Sequence, residues 1–219
     1  SRSLICALCV LGLSVVTACS GSSAGGSEPG PLVDNTKWVP TEEGEALIGV
    51  RPPDAVCDLM PLDCDGLYPW PEGECVVLGG SPCVTAYVPE CLDSFTVLAV
   101  YTRMPNPAEP LCNWLTLAQP SLRDIRAGDE VEIRMRHATL TAPSNARARM
   151  MFVIGDVVAL DYEVSIEPSP GTPPFFPTTK WTAPHDYPQG TQLLFHIDNH
   201  GSNEYMLIDV NLLDVDETK

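Results

Sequence analysis

Basic residues are scarce in this chain. Across 219 residues, Lys and Arg number 12 against 29 Asp and Glu, a formal net charge of −17. Nucleic acid is therefore excluded as a partner, because neutralising phosphates needs clustered Lys and Arg. Catalytic signatures are also missing: there is no H-E-x-x-H, no P-loop and no G-x-G-x-x-G. No cysteine follows Cys112, and all four histidines lie beyond it. A blue-copper site, whose cysteine ligand lies between its histidines in chain order, is excluded on that ground. Long apolar runs are absent too. The longest, Leu4–Val16, is shorter than the ~20 residues that span a bilayer as a helix.

What is present is a chain with 44% hydrophobic residues, enough for a packed core and too many for a disordered polyelectrolyte. The Leu4–Val16 run suits the apolar centre of a secretory signal, and small residues follow it. Val16-Thr17-Ala18-Cys19 resembles a bacterial lipobox, where a signal peptidase cuts before a lipid-modified cysteine. That resemblance implies an exported lipoprotein with residues 1–18 as its signal, Cys19 as its lipidated N-terminus and membrane attachment through that lipid. A Ser after the cysteine implies the outer membrane. Residues 19–37 read as a flexible tether, since Ser20–Pro31 is rich in Gly and Ser and has no periodicity. Cys112–His137 and Trp181–Val210 are also similar to segments of exported bacterial lipoproteins, a resemblance that implies a fold and no activity.

Export agrees with the cysteine pattern. Removing the signal and lipidating Cys19 leaves Cys57, Cys64, Cys75, Cys83, Cys91 and Cys112. Outside the cytosol these read as three disulfides, in any of 15 pairings; no C-x-x-C pair among them suggests zinc. Residues 38–112, dense in Pro and Gly, form the Cys-rich segment. Within it, Phe95–Thr102 alternates like a strand.

From residue 113 to 219, short strands recur. In Glu130–His137, Val131, Ile133 and Met135 alternate with Glu132, Arg134 and Arg136. Arg147–Ile154 and Val157–Ile166 flank a Gly155-Asp156 hairpin turn. Phe175–Thr182, Thr191–Asp198 and Glu204–Leu213 follow, the last directing Met206, Ile208, Val210 and Leu212 to one side. The pattern predicts an all-β protein: an antiparallel two-sheet β-sandwich, jelly-roll or immunoglobulin-like, carrying a disulfide-rich N-terminal extension. Phe95–Thr102 could equally join the sandwich.

Two functional readings compete. A lipid-anchored, non-catalytic envelope protein would bind a glycan, an envelope polymer or a protein partner, with Trp70, set between two prolines, as an exposed stacking face. Trp114 and Trp181, inside predicted strands, read as core. The alternative is a copper or zinc site, or a metal-dependent oxidoreductase, built on His137, His196 and His200. It requires those rings to converge, and His196 and His200 lie roughly 13 Å apart along an extended strand. No cofactor is expected under the first reading. A structural calcium remains open, because Asp198, Asn199, Asn203 and Glu204 cluster in sequence without the EF-hand spacing.

Overall fold

The computed structural model describes residues 27–53, 55, 76–77, 87–92, 95–102, 113–201 and 203–214. Twelve strands and one short helix occur among them. They are β1 (Gly30–Pro31), β2 (Val39–Pro40), α1 (Glu45–Ile48), β3 (Val76–Val77), β4 (Tyr87–Leu92) and β5 (Phe95–Tyr101), followed by β6 (Trp114–Pro120) and β7 (Glu130–His137). The remainder are β8 (Ala146–Ile154), β9 (Val157–Ile166), β10 (Thr178–Thr182), β11 (Gln192–Asn199) and β12 (Glu204–Leu212). None of the described helices is long and apolar enough to cross a membrane.

The strands form two packed sheets, as the alternation predicts. The first has the order β10-β7-β12-β5-β4-β3, with β1 also paired to β12; the second runs β2-β6-β11-β8-β9. Pairing is antiparallel throughout, apart from the parallel β3–β4 contact. Between the sheets lies one apolar core. Val131, Ile133 and Met135 meet Leu115, Leu117, Phe152, Phe195 and Ile197 there, all buried. The Gly155–Asp156 turn joins β8 to β9 with Gly155 at φ 57°, a conformation that glycine adopts without a Cβ penalty.

Three expectations need correction. The tether ends earlier than residue 37. Gly30 and Pro31 pair with Leu212 and Asn211, then Leu32, Val33 and Trp38 enter the core, and Val39 and Pro40 pair with Ala118 and Leu117 of the other sheet. The eleven residues from Gly30 to Pro40 thus cross the sandwich and fasten both layers. Residue 112 is likewise no boundary between strands, because β5 pairs with β12 in the first sheet and with β4 beside it. Leu98 and Val100 lie in the common core. Cys91 on β4 is disulfide-bonded. Cys57, Cys64, Cys75, Cys83 and Cys112 lie outside the described residues, as do Cys19 and the signal segment.

The third correction concerns β12. A bulge between Leu207 and Asp209 shifts its register against β7. Tyr205, Leu207, Val210 and Leu212 therefore share the core side, while Met206 and Ile208 pack outside against Val88, Val97 and Ala99. One extra residue reverses the alternation beyond it.

At the bulge sits Asn35, itself buried. Its Nδ2 donates to the carbonyl oxygens of Thr96 (2.9 Å), Ile208 (2.9 Å) and Leu207 (3.3 Å), and its Oδ1 accepts from Trp38 Nε1 at 3.0 Å. The Trp38 ring packs edge-on to Phe152, with centroids 6.3 Å apart. Trp38→Ala should lower the unfolding free energy by roughly 3–5 kcal/mol through the cavity it leaves. Asn35→Ala should cost about 1–3 kcal/mol by leaving buried carbonyls and the indole N–H unpaired. Urea denaturation followed by far-ultraviolet circular dichroism reads both.

Candidate functional site

The outer face of the second sheet carries the most chemistry. Strand register sets its side chains in cross-strand rows. One row runs Trp114, Asp198, Arg149, Glu163, and the next runs Thr116, His196, Met151, Asp161. Alternation explains the first member: Leu115 and Leu117 face the core, so Trp114 and Thr116 face outward.

Part of this face is roofed by α1. Ile48 and Leu47 pack on Ala118, Met151, Val153 and Leu194, with Trp114 at the margin. Gly44, at φ 91°, lets the helix approach closely: a Cβ there would stand 2.5 Å from Leu194 Cδ1. Arg149 Nη1 donates to the Ile48 carbonyl at 3.1 Å, and its other nitrogens hold Asp161 through two bonds of 2.7 and 2.6 Å. Those bonds keep the Asp161 carboxyl below its ordinary pKa.

A cleft of about 520 Å³ opens between this roof and the start of β6. Trp114 walls it, and Glu42, Glu43, Glu45, Thr41 and Arg51 rim it. A second cleft of about 730 Å³ lies at the end of the sandwich, lined by Asn113, Ser144, Asn145, Arg147, Ser165 and Glu167 among others. Between the clefts stands Asp198. Its side chain is 10% exposed and lies 3.8 Å from Arg147 Nη2. Burial raises its pKa, with His200, Arg147 and Arg149 opposing.

The three histidines do not converge. His137 ends β7 on the core side, its Nδ1 2.8 Å from the Ala138 carbonyl and its ring 6.0 Å from that of Tyr162. His196 belongs to the other sheet and points outward, so a sheet separates the two rings. His200 is exposed, beyond the end of β11. The metal centre expected from His137, His196 and His200 is therefore not assembled. Among the described residues, no group of three or more His, Cys, Asp or Glu could hold a metal, which covers copper, zinc and an acidic calcium site alike. The amides proposed for calcium are already committed: Asn199 Nδ2 donates to Thr102 Oγ1 and the Gly201 carbonyl, Asn203 Nδ2 donates to Asn199 Oδ1, and Tyr205 donates to that same oxygen. Trp70 lies outside the described residues. Trp181 flanks the main core as expected, but Trp114 faces the cleft.

No family model matches the chain, and no curated protein matches it. Solved structures do. A non-crystalline-cellulose-specific carbohydrate-binding module is 13% identical, over 58% of this chain and 80% of that one, with a TM-score of 0.39. TmCBM61 in complex with β-1,4-galactotriose is 6% identical, over 54% and 70%, with a TM-score of 0.31. The K3 cleaved adhesin domain of Lys-gingipain from Porphyromonas gingivalis is 10% identical, over 55% and 75%, with a TM-score of 0.36. The likeness is one of fold.

His196 points outward from the second sheet and is nevertheless fully buried. Its Nδ1 lies 2.9 Å from Thr116 Oγ1, its ring centroid is 4.5 Å from that of Trp114, and its Nε2 has no hydrogen-bond partner among the described residues. Burial, reinforced by Arg149, lowers its pKa to about 3 from an ordinary 6.5. The folded state thus keeps the ring neutral while the unfolded chain takes up a proton near pH 6.5. Stability is full above that pH and falls as pH drops toward 3, by about 1.4 kcal/mol per pH unit from this group. His196→Leu should flatten the dependence of the urea midpoint on pH between 6 and 4; an unchanged slope relative to the parent would show that His196 does not carry it.

Proposed function

We propose that this chain is a lipid-anchored, non-catalytic β-sandwich of the bacterial cell envelope that binds a glycan in the Trp114 cleft. The observation that carries the glycan is the cleft's make-up. A half-buried indole offers a flat apolar wall beside three carboxylates, a hydroxyl and a guanidinium. A sugar ring has the matching surfaces, an apolar C–H face and a rim of hydroxyls that donate and accept. The rim glutamates are exposed, unlike the desolvated acid that glycoside cleavage uses, which favours binding over hydrolysis.

The acidic rim and the net charge of −17 favour neutral or amino sugars over sulfated or uronate polymers. Anchoring rests on the lipobox at Cys19 and on the Gly/Ser-rich run that precedes β1. Placement at the outer membrane rests on Ser20.

Glycan-array screening followed by calorimetry should find a neutral ligand whose binding quenches tryptophan fluorescence. Trp114→Ala should weaken that binding at least tenfold without moving the urea midpoint by more than a core substitution would; undiminished binding would remove the cleft from consideration. Independently, Cys19→Ala expressed in a lipidating host should move the protein from the membrane fraction to the soluble envelope fraction. Continued sedimentation with membranes would refute the lipid anchor.

A further inference from the structure

The two clefts are not separate features of the surface. Asn113 lines the end cleft and Trp114, the next residue, walls the face cleft. The Asn113 carbonyl accepts the backbone N–H of Asn199 at 3.0 Å, which fixes this junction to the end of β11. Arg147 lines the end cleft and reaches toward Asp198, which stands opposite Trp114 in the strand register. Arg147 is itself opposite Ser165 on β9. The outer ends of β6, β11, β8 and β9 thus form a continuous shelf with one cleft at either side.

Three inter-strand spacings separate Trp114 from Ser165, roughly 14 Å at the usual ~4.8 Å per strand. One sugar ring cannot touch both. The chemistry also changes along the shelf. The Trp114 side is aromatic and acidic, the middle is the paired Arg147 and Asp198, and the far side presents the exposed side chains of Ser144, Asn145 and Ser165 with the Glu167 carboxylate, which disfavours an anionic chain. Paired charges and small polar groups suit hydroxyl recognition along a chain and do not select a single charged end group.

We infer that the ligand is an internal stretch of a linear, uncharged glycan, at least three residues long, laid across the strand ends from the Trp114 cleft to the Asn145–Ser165 cleft. This rests on the glycan reading of the Trp114 cleft and goes on to specify chain length, direction and charge class. It assigns Trp114 as the stacking subsite and Asn145 and Ser165 to a second subsite that senses only longer chains.

The test is calorimetry of the full chain against β-1,4-linked gluco-, galacto- and N-acetylglucosamine oligosaccharides of one to six units. Affinity should rise about tenfold or more from two units to four in one series and then level off. Joint Asn145→Ala and Ser165→Ala substitution should remove that gain while leaving the disaccharide affinity unchanged, whereas Trp114→Ala should weaken both. Polygalacturonate should not compete. If affinity is flat with length but still lost in Trp114→Ala, the extended site is wrong and the single cleft stands. If no member of any series binds, both readings fall.

Discussion

The side-chain amide of Asn35 holds together what the strands alone leave apart. The β5–β12 ladder ends at Leu98 and Leu207, and the bulge in β12 follows at once. Carbonyls freed there would be buried without partners, at a cost comparable to a lost hydrogen bond for each. Asn35 supplies the donors, and its oxygen in turn fixes Trp38 between the sheets. The order of the amino-terminal crossing, the depth of Trp38 and the seating of β2 on β6 all follow from that one side chain.

On the second sheet the controlling constraint is desolvation. The α1 roof, brought close to Leu194 at Gly44, removes water from part of the outer face and leaves the rest polar. His196 falls on the dry side and must stay neutral; Asp198 falls on the border and keeps partial access to solvent. The cleft exists because the roof stops short of Trp114. A surface that is apolar under the helix and ionic beyond it presents the mixture of flat hydrophobic wall and polar rim that small-molecule recognition requires.

Much of the architecture was legible in the sequence, because half-buried strands advertise themselves by period two. Glu130–His137, the Gly155–Asp156 hairpin and the paired strands around His196 read correctly for that reason. Three things escaped. The β12 bulge reversed a face, since alternation carries no signal for one inserted residue. The segment from Gly30 to Lys37 looked like linker, because a two-residue strand has no period and its anchoring depends on an amide whose carbonyl partners lie 61 to 173 positions away. The outward direction of Trp114 could have been read from Leu115 and Leu117. What covers that side could not, because α1 is a single turn bracketed by glycines.

The amino-terminal strand and the clefts occupy opposite ends of the sandwich. Gly30 pairs with Leu212 at one end of β12, whereas Glu204 at its other end adjoins the turn that closes β11 beside the clefts. Tension between a held amino terminus and a held ligand would therefore run lengthwise along the strands. In that direction neighbouring strands slide past one another, so their hydrogen bonds resist together and do not open one at a time. The path also leads through the Asn35–Trp38 crossing and directly to the lip formed by Thr41–Arg51. Under such a load the eleven residues that close the core would be the molecule's tension member.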